Sequence, residues 1–163
     1  MKYISRSQEE TVHLGSILSG FLCIGDVVAL YGDLGAGKTA LVSGLVKGQG
    51  FDDSISSPTF TIVNEYMSKI PIFHFDVYRV HDEEELIQIG FEEYFYRDGI
   101  VIIEWAEYIQ NLLPKELLQI RISKNVQNLE LREFELLATG SRYEQLLHEI
   151  QSKLGGVYES SRD

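Results

Sequence analysis

The order of hydrophobic and polar residues in the first third of the chain predicts a helix, a strand and a second helix. Ser7 and Glu10 form an S-x-x-E capping box, and apolar residues at helical spacing follow them. A β-branched apolar run at 27–31 then predicts a core strand. Helix-forming residues continue from Lys38 and stop at glycines near Gly50. This order is typical of an α/β protein.

Two further strands are predicted in the middle of the chain, over residues 59–66 and 71–79. Only the four residues 67–70 connect them, and a connection of this length cannot hold a crossover helix. We therefore expect the two strands to be antiparallel neighbours. The apolar run 100–103 does not alternate, which indicates a central strand buried on both faces. The sheet is therefore predicted to mix parallel and antiparallel pairs.

The last third of the chain predicts a hairpin and a closing helix. Residues 117–124 and 129–137 alternate as its two strands, and a second capping box at 141–144 begins the helix. No linker or internal repeat divides the chain, so we predict one domain over residues 1–154. Residues 155–163 are polar and glycine-containing, and we expect them to form a frayed tail.

A glycine-rich segment joins the first predicted strand to the second helix. Its letters, GDLGAGKT at 32–39, match G-x-x-x-x-G-K-[ST] at every fixed position. Backbone N–H groups of such a loop surround a phosphate, and the helix N-terminus adds partial positive charge. Lys38 would then reach the β- and γ-phosphates, and the hydroxyl of Thr39 would ligate Mg²⁺. The predicted nucleotide-binding residues here are Gly32, Asp33, Leu34, Gly35, Ala36, Gly37, Lys38, Thr39 and Ala40.

The same segment predicts the fold class. A strand, a phosphate loop and a helix in this order are typical of P-loop NTPases, so we predict a P-loop NTPase-like three-layer α/β fold with the mixed sheet described above. The alternative is a glycine-rich turn that caps a helix and binds nothing. With Gly at about 7% of an average chain, a chance match of all four fixed residues has odds of about one in a hundred.

Two acids at the ends of apolar runs compete for the metal. Glu104 follows an unbroken apolar run, at the strand end where open α/β sheets place their ligands. Asp76 follows a run that His74 interrupts. We assign Glu104 to Mg²⁺, directly or through water, and Asp76 to positioning the attacking water or the metal, with the role of base left open. Without such roles, Glu104 would be a solvated strand end and Asp76 a partner of Arg79.

The loop after the second helix is a predicted sensor of the γ-phosphate. Related nucleotide hydrolases carry such a loop at this place, and the hydroxyl of Ser57 or Thr59 could serve in it. An ordinary turn, in which Pro58 extends the backbone and Thr59 begins a strand, remains the alternative.

Composition and charge limit the function classes. The 163-residue chain is 44% hydrophobic and carries a net charge of −11. Affinity for nucleic-acid phosphates comes largely from Lys and Arg, so an independent nucleic-acid binder is disfavoured. No apolar run approaches the roughly 20 residues that span a bilayer. We expect a soluble cytoplasmic protein that does not enter membranes.

Together these segments resemble the TsaE (YjeE) family of small bacterial ATPases over nearly the whole chain. The mild departures are Ala40, where Thr is frequent in the family, and the tail after Leu154. The segments that carry the resemblance are E-E-T at 9–11, GDLGAGKT at 32–39, SPTFTIV at 57–63, HFDVYR at 74–79, EEEL to IGFEEYF at 83–95, IIEWAE at 102–107 and ATGSRYEQLL at 138–147.

The resemblance implies a role in making N6-threonylcarbamoyladenosine in the anticodon loop of tRNAs that read codons starting with A. In that family the protein hydrolyses ATP to ADP while bound to TsaB and TsaD, and TsaD performs the transfer. The protein then meets tRNA only through this complex. Carried over by motif, Lys38 binds phosphate, Thr39 and Glu104 serve Mg²⁺, Asp76 supports hydrolysis, and Thr11 is a contact near the base.

The sequence disfavours three other function classes. A P-loop small-molecule kinase would need an acceptor site and usually clamping arginines, and the sequence shows no arginine cluster outside Arg79. A guanine-reading Asn-Lys-x-Asp sequence is absent, which disfavours a GTPase. A non-hydrolysing nucleotide switch is disfavoured by the presence of both Asp76 and Glu104.

Overall fold

The structure is a computed structural model that describes residues 1–58 and 60–155. Its strands are β1 Lys2–Ser5, β2 Val27–Tyr31, β3 Val63–Tyr66, β4 Ile72–Asp76, β5 Ile100–Glu104, β6 Leu117–Lys124 and β7 Arg132–Thr139. Its helices are α1 Gln8–Ser19, α2 Lys38–Gly48, α3 Glu83–Gln88 and α4 Ser141–Leu154, with 3₁₀ helices at Phe91–Tyr96 and Ala106–Leu112. Within the described residues, no helix is both long enough and apolar enough to span a membrane.

All described strands join one mixed sheet in the order β1-β7-β6-β2-β5-β4-β3. The four central strands β6, β2, β5 and β4 are parallel neighbours, while β1, β7 and β3 add antiparallel edges. The mixed sheet and the antiparallel pairing of β3 with β4 confirm the prediction. Because β2, β4 and β5 are parallel, their carboxyl ends lie at the same edge of the sheet.

Apolar layers cover both faces of the sheet, which confirms the three-layer α/β fold. Side chains such as Leu14 and Leu41 join α1, α2 and α4 to one face. Leu86, Phe91 and Ile109 join α3 and the two 3₁₀ helices to the other face. Central strands covered on both sides require near-continuous apolar runs, as β2 and β5 show.

Close approach of α1 to α2 positions the start of α1 beside the phosphate loop. A Cβ on Gly15 would lie 2.4 Å from the carbonyl oxygen of Leu41, and a Cβ on Gly44 would lie 2.0 Å from that of Val12. Only glycine fits at these two positions. This contact carries Thr11, in the first turn of α1, to the edge of the sheet where β2 ends.

Both edge strands of the sheet differ from the prediction. Strand β1 was not predicted. It lies near the start of the chain and pairs with β7, which lies near the other end. Strand β3 begins at Val63 rather than at residue 59, because residues 60–62 form a turn in which Ile62 has a φ of 68°. The N–H of Ile62 donates to the carbonyl of Pro58 at 2.8 Å and closes this turn.

The two predicted capping boxes have different outcomes. Ser7 caps α1, and its side chain accepts from the N–H of Glu10 at 3.1 Å, as predicted. The second box is wrong, because α4 has Gly140 at its N-cap and no side-chain cap. The Gly140 carbonyl instead accepts from the N–H groups of Tyr143 and Glu144. Most of the predicted tail, residues 156–163, lies outside the described residues.

Candidate functional site

The phosphate-loop segment forms the connection from β2 to α2, as its sequence predicts. Gly35 and Gly37 have φ angles of 75° and 112°, a region that side chains disfavour. The N–H of Ala36 closes a turn onto the carbonyl of Asp33 at 3.0 Å, and the Gly37 carbonyl accepts the first α2 hydrogen bond from Leu41. The loop therefore delivers the N-terminus of α2 to the carboxyl edge of the sheet, where an anion is favoured.

Lys38 lies inside this loop and is only 5% exposed. Its Nζ donates to the carbonyls of Gly32 and Asp33, the latter at 3.1 Å, and lies 3.7 Å from the centroid of the Trp105 ring. Burial lowers the pKa of Lys38, and the negative charge of Glu104 opposes that shift. The ammonium group is therefore largely shielded from bulk water, and it would attract a phosphate bound in the loop strongly.

The two residues predicted to serve the metal are in contact, although they are 65 positions apart. The hydroxyl of Thr39 donates to Oε1 of Glu104 at 3.2 Å. Glu104 is 2% exposed, and it ends β5 directly beside β2, where Leu30 is its registered neighbour. The prediction that an acid at the end of an apolar strand would meet the phosphate loop is realised in this geometry.

Asp76 lies beside Glu104, in register across β4 and β5. The hydroxyl of Ser57 donates to Oδ2 of Asp76 and lies 3.3 Å from Oε2 of Glu104. Strand β4 ends here rather than at residue 79, because Oδ1 of Asp76 accepts the N–H of Tyr78 at 3.0 Å. Both acids and Ser57 therefore form one polar cluster beside Thr39. Thr59, the other predicted sensor, lies outside the described residues.

One cavity of about 490 Å³ connects the loop to this cluster. Thr11 lines it, but its hydroxyl is bonded to Ser5 Oγ at 2.8 Å and to the Ser7 carbonyl at 3.3 Å. The predicted contact of Thr11 with a base stays a prediction. The other lining residues are Ser7, Gln8, Leu34, Gly35, Ala36, Gly37, Lys38, Thr39, Ala40, Ser57, Asp76, Tyr78, Arg79, Glu104, Trp105 and Arg132.

Comparison with known proteins identifies the family. A family model described as "Threonylcarbamoyl adenosine biosynthesis protein TsaE" matches residues 5–133. A Bacillus subtilis (strain 168) protein named tRNA threonylcarbamoyladenosine biosynthesis protein TsaE is 41% identical over 151 residues, covering 92% of this chain and 93% of that relative. The chain belongs to the TsaE family.

Other TsaE proteins and a crystal structure agree with this assignment. Relatives with the same name from Nostoc sp. and Haemophilus influenzae are 46% and 44% identical over 110 and 108 residues. These alignments cover 65% and 64% of this chain, and 68% of each relative. The crystal structure of Bacillus subtilis YdiB superimposes with a TM-score of 0.81 at 36% identity, covering 94% of this chain and 95% of that one.

Two residues at the site of this TsaE chain were not assigned a role from sequence. His74 is fully buried, with Nε2 at 2.6 Å from Oε2 of Glu104. Trp105 has a left-handed φ of 63°, which is strained for a bulky residue, and it stacks on Tyr108 while covering Lys38. The sequence signal for His74 was its place two residues before Asp76, on the same face of one strand.

The oxygen groups beside the loop suit Mg²⁺ bound together with phosphates. Among the described residues, no group of three or more His, Cys, Asp or Glu side chains could hold a metal alone. Mg²⁺ usually takes one or two carboxylates, substrate phosphates and several waters rather than an all-protein cage. Glu104 and the hydroxyl of Thr39 are the groups here that could supply the protein part of such a set.

Proposed function

We propose that this TsaE protein is a Mg²⁺-dependent ATPase that supports N6-threonylcarbamoyladenosine modification of tRNA by acting on the TsaB–TsaD complex. The observation that carries the hydrolytic part is the shared cavity of a phosphate loop and two strand-end acids. Lys38, Thr39, Asp76 and Glu104 all line this cavity. A nucleotide-binding module alone would not need the second acid.

Each residue has a chemical task in this proposal. Loop N–H groups and Lys38 hold the β- and γ-phosphates of ATP, while Thr39 and Glu104 hold the metal. When bound, Mg²⁺ neutralises charge on the phosphate oxygens. Asp76 orients the attacking water, assisted by Ser57, which already contacts both acids. Ser57 and the neighbouring Thr59 remain the proposed sensors of the γ-phosphate.

The role in tRNA modification is supported by the relatives, whose names place them in threonylcarbamoyladenosine biosynthesis. The net charge of −11 favours action through protein partners rather than direct binding of tRNA. We therefore propose TsaB and TsaD as the partners, with tRNA reached only through them. This role fits a cytoplasmic protein.

Phosphate release from ATP tests the hydrolytic part. The wild-type protein should release phosphate with Mg²⁺ and stop when EDTA removes the metal. Tight ATP binding without phosphate release, with or without TsaB–TsaD, would instead favour a switch. Phosphate transfer to an added small molecule would favour a kinase.

Co-purification tests the partner part separately. The protein should bind purified TsaB–TsaD in the presence of ATP or ADP. An ATPase that fails to bind this complex would contradict the proposed partners and leave the hydrolytic part standing.

A further inference from the structure

The buried face of β4 carries a histidine that none of the proposed steps uses. His74 has no exposed surface, and its Nε2 lies 2.6 Å from Oε2 of Glu104. If Glu104 is ionised, as a metal ligand would be, its carboxylate can only accept, and Nε2 would then be the donor in this pair. Burial of an imidazole without a partner would be unfavourable, and the bond to Glu104 removes that penalty.

The other ring nitrogen of His74 faces a tyrosine. The Tyr66 hydroxyl lies 3.4 Å from Nδ1 and 3.3 Å from the carbonyl oxygen of Ser56. The two rings are stacked, with centroids 6.0 Å apart and planes at 29°. His74 therefore contacts Glu104 on one side and Tyr66 on the other, and Tyr66 contacts the Ser56 carbonyl. The hydroxyl of the next residue, Ser57, lies within hydrogen-bond distance of Glu104, so these contacts form a closed ring.

The two carboxylate oxygens of Glu104 have different partners. Oε2 accepts from His74 and Ser57, whereas Oε1 accepts from Thr39, on the side of the phosphate loop. The bond to the fully buried ring of His74 restrains Oε2. Because Oε1 is joined rigidly to Oε2 through the carboxyl carbon, this bond also limits the directions in which Oε1 can point. Such partners behind a metal ligand typically change metal affinity or activity by about 10- to 100-fold when removed.

We propose that His74 is a positioning residue that holds Oε2 of Glu104 so that Oε1 stays directed at Thr39 and the metal. The inference rests on the proposed function, because it assigns His74 to the carboxylate that would serve Mg²⁺. His74 touches neither substrate nor metal in this account. Its effect should therefore appear in the Mg²⁺-dependent part of nucleotide affinity.

Calorimetric binding of ADP, measured with Mg²⁺ and again with EDTA, tests this role without requiring hydrolysis. His74→Leu should weaken Mg²⁺-dependent ADP affinity by about 10- to 100-fold. Its affinity in EDTA should stay within about twofold of wild type, since the phosphate loop is unchanged. His74→Gln keeps an N–H donor and should recover affinity to within about threefold of wild type.

A double-mutant cycle separates positioning from general destabilisation. If His74 acts through Glu104, then adding His74→Leu to Glu104→Gln should cause little further loss of Mg²⁺-dependent affinity. Additive losses would overturn the inference. Should His74→Leu fail to fold, Tyr66→Phe takes its place with an expected loss of about two- to fivefold, and unchanged affinity would overturn the inference.

The matched control is Tyr94→Phe, which removes a hydroxyl bonded to the exposed Glu65 away from the site. It should bind ADP like wild type in both conditions. If the ADP affinity of the wild-type protein is the same with Mg²⁺ and with EDTA, the proposed metal site is overturned, and this inference with it. A wild-type protein that responds to Mg²⁺, beside a His74→Leu variant that responds equally, would overturn only the inference.

Discussion

The two ends of the central strands β2 and β5 each hold a buried acid with very different partners. At the amino end, Asp26 is 4% exposed and accepts from the guanidinium of Arg142, at 2.7 Å from one nitrogen, and from the N–H of Cys23. At the carboxyl end, Glu104 is 2% exposed and accepts from two hydroxyls and an imidazole. In the described part of the chain, no Lys or Arg forms a salt bridge with Glu104.

This difference separates a structural acid from one that is available for binding. The Asp26–Arg142 pair fastens α4 to the start of β2, where the Tyr143 hydroxyl also accepts the N–H of Val27 at 2.8 Å. A guanidinium satisfies both oxygens of a carboxylate and leaves little for a ligand. Hydroxyls are weaker partners that a metal can replace. The contrast supports the proposal that the carboxyl end of this sheet, with its buried carboxylate and no arginine partner, is the end that binds a ligand.

The largest effect is expected from Lys38→Ala at the carboxyl end. This change removes the buried ammonium that contacts the loop carbonyls of Gly32 and Asp33, and it should weaken ATP binding and hydrolysis by at least about 100-fold. The variant should still fold, since Lys38 takes no part in either apolar layer. Nucleotide binding and phosphate release would be measured against wild type. Unaltered ATPase activity would contradict the assignment of the phosphate loop.

Glu104→Gln should reduce Mg²⁺-dependent hydrolysis by about 100-fold, or about 2.7 kcal/mol in activation free energy. Its melting temperature should stay close to that of wild type, because the amide oxygen can replace Oε2 beside His74 and Ser57 while the amide NH₂ donates to the Thr39 hydroxyl. Hydrolysis as a function of Mg²⁺ concentration is the measurement. Intact hydrolysis would mean that Asp76, rather than Glu104, is the metal acid.

Asp26→Asn is the reciprocal change at the amino end. It breaks a largely buried ion pair and should lower the free energy of unfolding by about 2 kcal/mol, which corresponds to about 4–8 °C in melting temperature. Below the melting transition, its ATPase activity should match wild type. Loss of activity without loss of stability would show that the two ends of the sheet are not separate in function.

The smallest effect is expected from Glu107→Gln, just beyond Trp105. Among the described residues Oε2 of Glu107 is buried without a partner, and burial raises the pKa of this acid above its ordinary 4.5. The folded state thus favours the protonated form of Glu107. The free energy of unfolding therefore falls as pH rises from 4.5, the ordinary pKa of the acid, through its raised pKa in the folded protein.

The variant removes this penalty and should be about 1 kcal/mol more stable than wild type at pH 7. The gain should vanish near pH 4, where the acid is protonated in both the folded and unfolded states. Melting temperatures across this pH range would show the effect. A variant that is less stable at pH 7 would mean that the Glu107 carboxylate stabilises the fold.

Local signals allowed the carboxyl end of the sheet to be predicted. The phosphate loop needs glycines at fixed spacing, and a strand buried on both faces needs an unbroken apolar run such as 100–103. These features lie within short segments, so β2, α2 and Glu104 were found from sequence. The register that puts Asp76 beside Glu104 was not, because it depends on β4 and β5 pairing in parallel.

The features that sequence did not predict depend on distant contacts. Strand β1 has only four residues, and its hydrogen bonds come from β7 at the other end of the chain. Because β1 was missed, the bond from Thr11 to Ser5 was missed too. The left-handed backbone at Trp105 has no signal in its residue type, since such a conformation is usual for glycine.

The most direct test of the central claim is tRNA modification by purified TsaB–TsaD over several turnovers, with ATP and Mg²⁺ present. Wild-type protein should sustain repeated formation of N6-threonylcarbamoyladenosine, and Glu104→Gln should leave the complex near a single turnover. Equal numbers of turnovers with wild type, with Glu104→Gln and without the protein would contradict the account. Such a result would mean that ATP hydrolysis at the carboxyl end of this sheet does not drive the modification.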